Sequence, residues 1–500
     1  MKYKKYITEK LNREPNTFEM HLFSATYSEH CGYLHSRELL KELPRENAIF
    51  YNENAGGIKI GDHAILFKME SHNHPCAVEP FNGAATGIGG IVRDVLAMNA
   101  RPIALCNSLK FGDDKRIMEG VIEGISNYGN SIGVPTISTE VLYNKVFTEN
   151  PLVNVTCIGI AKYNDIITSN KAKPGQKLML IGSATMKDGM GGASFASKKL
   201  SDEKKEDKLS IQIANPFMKK KLIEACLEIF NKKLVISCQD CGAAGILSST
   251  SEVAFKSNIG VEIDLAKIHI ADKSIKDFEI MLSETQERML FVVEKENIEK
   301  IEKVLDKYEL EYSIIGNVIK DKKYIVKQND KILANIPTEV LVTPPKVDID
   351  YTYEKSLNSQ TVSINNKSIY ERYDHTVGTR TELPPNENPQ FNSLRIWEED
   401  CDLGVYTFSS TVVNTYKSLI DASNLLKSKG FKPVGITNCL NFTNPEIPPT
   451  MYEFRKTIFD IKKACNEIHI PVCSGNVSFY NESSNSKIIN MPTFTMLGVR

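Results

Sequence analysis

A short segment near the start of the chain carries four side chains that could do chemistry: Lys68, Glu70, His72 and His74. The apolar run at 64–67 before it predicts a buried strand. Because side chains alternate along a strand, Lys68, Glu70 and His72 are expected on one face. Charged groups that emerge from a buried strand need partners, since an unpaired buried charge is costly. A phosphate for the lysine and a metal ion for the carboxylate would meet that need.

The segment that follows predicts a helix beside this strand. Pro75 is expected to end the strand, and apolar residues then recur at helical spacing over 88–96. Glycines before them, from Gly83 onward, would let backbone amides approach an anion at the positive end of the helix, although small residues also serve close packing. Arg93 and Asp94 lie off the apolar stripe and are therefore candidates for the site.

Other patterns leave alternatives open. The His-x-His at 72–74 could bind zinc, although no third ligand follows at a recognisable spacing. The Cys-x-x-Cys at 238–241 has no second pair, so packing beside a functional Asp240 is favoured over a zinc or redox site. His30 and Cys31 are adjacent in sequence, which rarely gives the geometry of a thiol–imidazole pair.

Composition places the chain in a broad class. Its 500 residues predict more than one domain, and its formal net charge of −1 gives no reason to expect nucleic acid or an anionic membrane as a partner. The first residues lack the apolar core of a signal peptide, and no apolar run is long enough to cross a bilayer. The 11 cysteines are scattered, which indicates reduced thiols. We therefore expect a cytosolic protein that binds neither nucleic acid nor membrane.

Five segments together give the chain a family resemblance over nearly its whole length. They are Ser28-Glu-His-Cys31 with Tyr33, Glu70-Ser-His-Asn-His-Pro75, the glycine-rich run 83–94, Gln239-Asp-Cys-Gly-Ala-Ala-Gly245 and Ser283-Glu-Thr-Gln-Glu-Arg-Met289. On these segments the sequence resembles phosphoribosylformylglycinamidine synthase of the small PurL type, within the superfamily related to aminoimidazole ribonucleotide (AIR) synthase.

The resemblance implies a mixed α+β and α/β fold, a PurM-like tandem repeat. Each half has an AIR-synthase-like N-terminal α+β domain followed by a C-terminal α/β domain, and the last domain of the second half is expected to be absent from this chain. The expected boundaries are 1–165 and 166–346 for the first half, 347–392 for a linker, and 393–500 for the second N-terminal domain. Internal sequence similarity supports the repeat, since residues 107–111 are similar to 438–442 and residues 133–143 are similar to 469–479.

The resemblance also implies a reaction. Formylglycinamide ribonucleotide (FGAR), ATP and ammonia would give the amidine (FGAM), ADP and phosphate, in de novo purine biosynthesis. Phosphorylation of the amide oxygen would make a leaving group that ammonia displaces, and Mg²⁺ would neutralise the phosphate charge. Carried over residue by residue, the resemblance implies His72 (as general base or charge stabiliser) and His30 as catalytic residues; Tyr33, Lys68, Asn438 and Gly475 as ATP contacts; Ser71, Asn73, His74, Arg93, Gln212, Glu284, Thr285, Gln286 and Ser478 as substrate contacts; and Glu70, Asp94, Asp240 and Asn476 as magnesium ligands.

The chain shows no glutaminase signature, so the resemblance implies separate partners. Ammonia would come from a glutaminase subunit of the PurQ type, joined by a small bridging subunit of the PurS type. Two alternatives remain: another ATP-dependent member of the superfamily, such as AIR synthetase or thiamine-monophosphate kinase, and a catalytically inactive nucleotide-binding scaffold. The motif 28–31 argues against the first, and the expected loss of the final domain suggests the second.

Overall fold

The computed structural model describes residues 3–200, 210–352, 363–364, 369, 372–373, 388–483 and 486–500. Most of the predicted linker at 347–392 and much of the charged run at 198–208 lie outside these residues. The described chain forms three β-sheets, each covered by helices. None of its described helices combines the length and the apolar character that crossing a membrane requires.

The first sheet carries the strand predicted before the chemical motif. Its strands are β1 (Gly56–Ile60), β2 (His63–Ser71), β3 (Arg101–Phe111), β4 (Thr136–Tyr143), β5 (Leu152–Lys162) and β13 (Ser363–Ile364), in the order β1-β2-β5-β3-β4-β13. The pairs are antiparallel except β3 with β4. Two helices, Pro80–Leu96 and Lys115–Ile132, contribute most of the apolar side chains that pack on this sheet. Asp114 caps the second by accepting hydrogen bonds from its first amides, and Gly133 ends it in the left-handed region.

Two details of the predicted strand–helix unit are wrong. β2 ends at Ser71, and Pro75 lies inside a short helix, Asn73–Val78, rather than terminating the strand. The glycines lie within the helix Pro80–Leu96 and not at its start, so they do not form an anion-binding terminus. They permit close packing instead, because a Cβ on Gly87 would lie 3.1 Å from the His72 side chain.

The second sheet belongs to the next domain. Its strands are β6 (Lys177–Gly182), β7 (Val235–Asp240), β8 (Gly260–Asp264), β9 (Arg288–Val293), β10 (Tyr312–Ile319), β11 (Lys323–Gln328) and β12 (Lys331–Pro337), in the order β12-β11-β8-β10-β6-β9-β7. Its helices are Gly192–Phe195, Pro216–Asn231, Gly245–Lys256, Asp277–Leu282, Ile298–Lys307 and Thr338–Val342. The Asn215 side chain caps the Pro216–Asn231 helix by accepting a hydrogen bond from the Met218 amide.

The N-terminal helices pack on this second domain. Lys4–Leu11 and Thr17–Thr26 place Ile7, Leu22 and Phe23 in the apolar cluster that contains the second-sheet strands. Two short helices, Glu29–Gly32 and Arg37–Leu40, then lead to the first sheet. The predicted boundary at residue 165 stays a prediction.

The third sheet repeats the first. Its strands are β14 (Phe391–Ile396), β15 (Cys401–Ser409), β16 (Lys432–Asn441), β17 (Val472–Ser478) and β18 (Met491–Val499), with helices Thr415–Ser428 and Pro448–Ile468. The order β14-β15-β18-β16-β17 matches β1-β2-β5-β3-β4, and the pair β16–β17, like β3–β4, is parallel. The predicted internal repeat is therefore confirmed.

The two related sheets pack face to face through apolar side chains. Ile65, Phe67 and Ile158 of the first sheet share one buried cluster with Leu403 and Leu497 of the third. Each such side chain contributes about 1.5–3 kcal/mol when fully removed from water. This packing holds the end of β2 beside β17, so the second half of the chain completes the surroundings of the motif.

Candidate active site

A cavity of about 480 Å³ lies where the three sheets meet. β2 supplies Lys68, Glu70 and Ser71 to its wall, and the helix Pro80–Leu96 supplies Arg93 and Asp94. Other parts of the chain complete the lining with His30, Tyr33, His72, Gln212, Gln239, Asp240, Glu284, Gln286 and Asn476. Most of the predicted site residues therefore surround one space.

Lys68 and Asp94, which both line the cavity, form an ion pair with each other. Lys68 Nζ lies 2.8 Å from Asp94 Oδ2. Burial alone would lower the pKa of Lys68, but the charges of Asp94 and Glu70 outweigh it and raise that pKa. Burial raises the pKa of Asp94, as do the carboxylates of Asp240 and Glu70, while Lys68 opposes the shift. The lysine is thus firmly cationic and faces a site with an excess of carboxylates.

His72 is held as a neutral imidazole with one nitrogen free for chemistry. Its Nδ1 lies 2.7 Å from the Gly83 carbonyl oxygen, to which it must donate. Burial lowers the pKa of His72 to about 4. Nε2 therefore keeps its lone pair at neutral pH and lies 3.9 Å from Glu70 Oε1. A neutral imidazole in this tautomer can accept a proton.

Arg93 joins the helix Pro80–Leu96 to the second domain. Its guanidinium is 2% exposed and donates through Nε to Asp240 Oδ2 at 3.3 Å. It also donates to the backbone and side-chain oxygens of Gln286, whose Nε2 donates to the Thr86 carbonyl at 2.6 Å. Burial alone would lower the pKa of Arg93, but Asp240 raises it. Arg93 and Gln286 are thus already committed to contacts within the protein.

The four predicted metal ligands all line the cavity without forming a preassembled metal site. In the described part of the chain, no three His, Cys, Asp or Glu side chains are grouped so that they could hold a metal ion. Asp94 pairs with Lys68, and Asp240 pairs with Arg93. Burial also raises the pKa of Glu70, which indicates that the nearby positive charges do not fully compensate for the lost hydration of this carboxylate. These carboxylates fit Mg²⁺, which is commonly held by one or two carboxylates together with substrate phosphates.

Residues of the third sheet support the end of β2. Ser71 Oγ donates to Asn476 Oδ1 at 2.8 Å. Asn73 is buried, and its Nδ2 donates to Asn441 Oδ1 and Asn481 Oδ1 at 2.9 Å each and to Ser478 Oγ at 3.1 Å. Its Oδ1 accepts from the Val153 amide at 2.7 Å. The predicted substrate contacts Asn73 and Ser478 thus bind each other, at the edge of a small side pocket next to the cavity.

Two predicted ATP contacts, Asn438 and Gly475, are not among the residues that line the cavity. Thr437 Oγ1 accepts from the Met69 amide, so this side of β16 faces β2. Because side chains alternate along a strand, Asn438 points to the other face, where it is 2% exposed. Its Oδ1 lies 2.5 Å from the position of a Cβ on Gly475. The structure therefore places these two residues beside each other and away from the other predicted ATP contacts.

The loop before β9 contributes one wall through a chain of hydrogen bonds. Glu284 accepts from Gln212 Nε2 at 3.2 Å and from the Ala244 amide at 2.9 Å. Thr285 Oγ1 donates to Asp188 Oδ1 at 2.7 Å and is not among the cavity-lining residues. Gly192 permits this arrangement, because a Cβ there would lie 2.4 Å from Glu284 Oε2.

The N-terminal motif covers the cavity from the remaining side. The His30 amide donates a hydrogen bond to Ser197 Oγ at 3.0 Å, and burial lowers the pKa of the His30 ring. Tyr33 follows in the left-handed region with φ 48°. Burial raises the pKa of Cys31 to about 12, which agrees with the expectation that this thiol is not a nucleophile.

His74 is held by the segment 195–198 of the second domain and by Tyr480 of the third sheet's domain. Its Nε2 lies 3.0 Å from the Lys198 carbonyl and 3.2 Å from the Tyr480 carbonyl, so it donates to backbone oxygens of two domains. The ring also packs edge-on against Phe195. His74 lies at the side pocket rather than among the residues that line the main cavity.

Sequence reasoning missed one end of the cavity, which is lined by Asn54, Gln239, Glu252 and Phe255. Gln239 Nε2 donates to Asn54 Oδ1 at 2.7 Å and to Glu252 Oε2 at 3.2 Å. Phe255 is 49% exposed on a helix whose other apolar side chains are mostly buried. Gln239 precedes Asp240 in a recognised segment, but Asn54 and Phe255 belong to no pattern that marks a site.

Comparison with known protein families agrees with this organisation. The family model described as AIR synthase related protein, N-terminal domain, matches residues 52–161 and again 417–499. The corresponding C-terminal domain model matches 173–329. A third model, described as formylglycinamide ribonucleotide amidotransferase linker domain, matches 2–33. The repeated match reflects the two related sheets.

Relatives cover nearly the whole chain. Phosphoribosylformylglycinamidine synthase subunit PurL of Petrotoga mobilis is 44% identical over 98% of this chain and 72% of its own length. The solved structure of T. maritima PurL complexed with FGAR superposes with a TM-score of 0.91 at 37% identity, covering all of this chain and 83% of the other. The T. maritima protein has also been solved with ATP and in a complex named PurLQS, with TM-scores of 0.86 and 0.88. The chain therefore belongs to the PurL family of phosphoribosylformylglycinamidine synthase subunits, ligases of purine biosynthesis.

Proposed function

We propose that this chain converts FGAR, ATP and ammonia into FGAM, ADP and phosphate. The observation that carries the proposal is the single cavity in which Lys68, three carboxylates and a neutral His72 face one another. The relatives whose solved structures hold FGAR or ATP support the same assignment of ligands. Phosphoryl transfer needs cationic and metal-binding groups around the phosphates, and this cavity contains both kinds.

The charged wall is assigned to the nucleotide phosphates. Lys68 is firmly cationic and is the candidate contact for an ATP phosphate. Glu70, Asp94, Asp240 and Asn476 would hold Mg²⁺, which neutralises phosphate charge. Arg93 keeps Asp240 in place from behind, so that its carboxylate faces the cavity. Tyr33 closes the same wall and is the second candidate ATP contact.

The proton chemistry is assigned to His72. Ammonia that displaces a phosphorylated amide oxygen must lose a proton as the new carbon–nitrogen bond forms. Neutral His72 can accept that proton at Nε2, because Nδ1 is occupied by its bond to Gly83. Glu70 lies close enough to stabilise the imidazolium that results. His30, whose pKa is also lowered by burial, lines the same cavity and completes the catalytic pair.

The substrate is assigned to the wall formed by Ser71, Gln212 and Glu284, next to His72. Ser71 is held by Asn476, and Gln212 is held by Glu284, so these groups are preorganised. Arg93 and Gln286 line the same cavity and bind each other, so they help to orient this wall.

Ammonia is assigned to a separate glutaminase subunit of the PurQ type, with a small bridging subunit of the PurS type. Support comes from the PurLQS complex of the T. maritima relative. Of the 11 cysteines only Cys31 and Cys401 are incompletely buried, and burial raises the pKa of both thiols. Neither is a thiolate suited to glutamine hydrolysis. We place the reaction in the cytoplasm, where purine precursors and reduced thiols coexist.

The test is release of ADP that depends on both FGAR and an ammonium salt. We expect ADP and FGAM to form in equal amounts with the purified chain. Tight ATP binding without ADP release would contradict the proposal and favour an inactive nucleotide-binding scaffold. If the rate of ADP release does not depend on FGAR but increases with another phosphoryl acceptor, a different member of the superfamily is favoured.

A further inference from the structure

A buried lysine lies behind the helix that carries Arg93 and Asp94. Three consecutive lysines occupy positions 219–221 in the first turns of the helix Pro216–Asn231. Lys220 and Lys221 bind the carboxylates of Glu224 and Glu309. Lys219 is instead completely buried. An ammonium group without access to water is costly unless its protein contacts replace the lost hydration.

The contact that Lys219 makes is to the backbone of another domain. Its Nζ donates to the Gly89 carbonyl oxygen at 3.2 Å. Gly89 lies one helical turn before Arg93 in the helix Pro80–Leu96. The bond therefore acts on the turn that presents Arg93 and Asp94 to the cavity.

The same turn touches the cavity wall on its other sides. A Cβ on Gly90 would lie 3.4 Å from Glu70 Oε2, so the helix backbone lies directly behind that carboxylate. Gln286 Nε2 donates to the Thr86 carbonyl, and Arg93 donates to Gln286. The second domain thus binds this part of the helix through two side chains, Gln286 and Lys219.

The charged side chains that act on Lys219 are Arg93, Glu287 and Asp240. Glu287 lies between the two domains, where its Oε1 accepts from Tyr128 OH at 2.8 Å and from the Asn215 amide at 3.3 Å. Burial, together with the charge of Arg93, lowers the pKa of Lys219 to about 7. The groups that oppose this shift are Glu287, Asp240 and Cys226. Removing Lys219 alone would leave Glu287 buried with less positive charge around it.

We propose that Lys219 is a positioning residue, which holds the turn from Gly89 to Arg93 where Arg93 meets Asp240 and Asp94 meets Lys68. Its effect on catalysis rests on the proposed function. Its effect on the helix does not, because the contact to Gly89 exists whatever the cavity binds.

Two measurements on matched variants test this proposal. Lys219→Met removes the charge and the donor, Lys219→Gln keeps a donor without the charge, and Lys220→Met is the control one residue away. Hydrogen exchange of a peptide covering 86–96 reports the helix, and kcat and KM for ATP in ammonia-driven ADP release report the site. If Lys219→Met does not fold, the double variant Lys219→Met/Glu287→Gln removes the unbalanced charge and takes its place.

We expect Lys219→Met to speed exchange in 86–96 and to lower kcat by about tenfold to a hundredfold, the scale of losses when catalytic groups are displaced. KM for ATP should change little, Lys219→Gln should fall between, and Lys220→Met should match the parent. Parent-like exchange and kcat in Lys219→Met, or equal losses in Lys220→Met, would overturn the proposal. A parent that releases no ADP would refute the proposed function instead, and the exchange comparison would still decide the role of Lys219.

Discussion

Replacing each of two adjacent glycines in the helix Pro80–Leu96 by alanine should have opposite effects on stability. Gly89→Ala should lower the free energy of unfolding, whereas Gly90→Ala should leave it equal or slightly higher. In an exposed helix, glycine to alanine stabilises by up to about 1 kcal/mol because alanine loses less backbone entropy. A Cβ on Gly89 would lie 2.4 Å from Gln286 Nε2 and 2.7 Å from Tyr128 OH, which is too close. The nearest atom to a Cβ on Gly90 is Glu70 Oε2 at 3.4 Å, an ordinary contact.

The size of the effect follows from these distances. Overpacking a buried site costs about 1–3 kcal/mol. Displacing Gln286 also weakens its hydrogen bond to the Thr86 carbonyl, which is worth about 1 kcal/mol. The entropy gain of up to about 1 kcal/mol offsets this loss. We therefore expect Gly89→Ala to destabilise the protein by about 1–3 kcal/mol and Gly90→Ala to leave stability equal or slightly higher.

The assay is urea unfolding of the parent and both variants, followed by circular dichroism. Midpoints are compared, because a chain of several domains need not unfold in one step. Gly89→Ala should also lower the rate of ADP release, since Gln286 orients Arg93. A Gly89→Ala variant as stable as the parent, or a Gly90→Ala variant that falls by the same amount, would refute the packing inferred for this turn.

Four further predictions concern the cavity and its reaction. His72→Ala should abolish FGAM formation while ATP still binds by calorimetry, and near-normal turnover would remove His72 from the mechanism. Since the pKa of His72 is lowered to about 4 in the fold from about 6.5 in an unfolded chain, its neutral form stabilises the protein above pH 6.5, and that contribution is lost as pH falls toward 4. His72→Gln should consequently lose less stability than the parent between pH 7 and pH 4.5, and identical losses would contradict the neutral assignment. Asp94→Asn and Asp240→Asn should each raise the magnesium concentration needed for ADP release, and parent-like titration curves for both would show that they are not ligands. The chain alone should use ammonium salts better as pH rises, because NH₃ is the nucleophile, and should not use glutamine; glutamate release coupled to ADP formation would reveal an amidotransferase site within it.

Local patterns were enough to predict much of this protein. The apolar run at 64–67 and the alternation after it predicted β2 and the common face of Lys68 and Glu70, because strand geometry depends only on neighbouring residues. The echo between 107–111 and 438–442 predicted a repeat that the two sheets confirm. Most of the site residues that the resemblance implied line one cavity.

Residue patterns along the chain therefore predict the type of each element and the functional groups that are present, including three lysines at 219–221 that look alike in the printed chain. Which of these lysines is buried, and which predicted ligands lie close together, depends on the packing of the folded chain. Asn73 binds Asn441 from 368 positions away, and Asn438 faces away from the cavity although its neighbour Thr437 bonds to β2. Such contacts depend on how sheets pack against one another, and no spacing along the chain records that packing, because each side chain finds its partner through the folded core rather than through its neighbours in sequence.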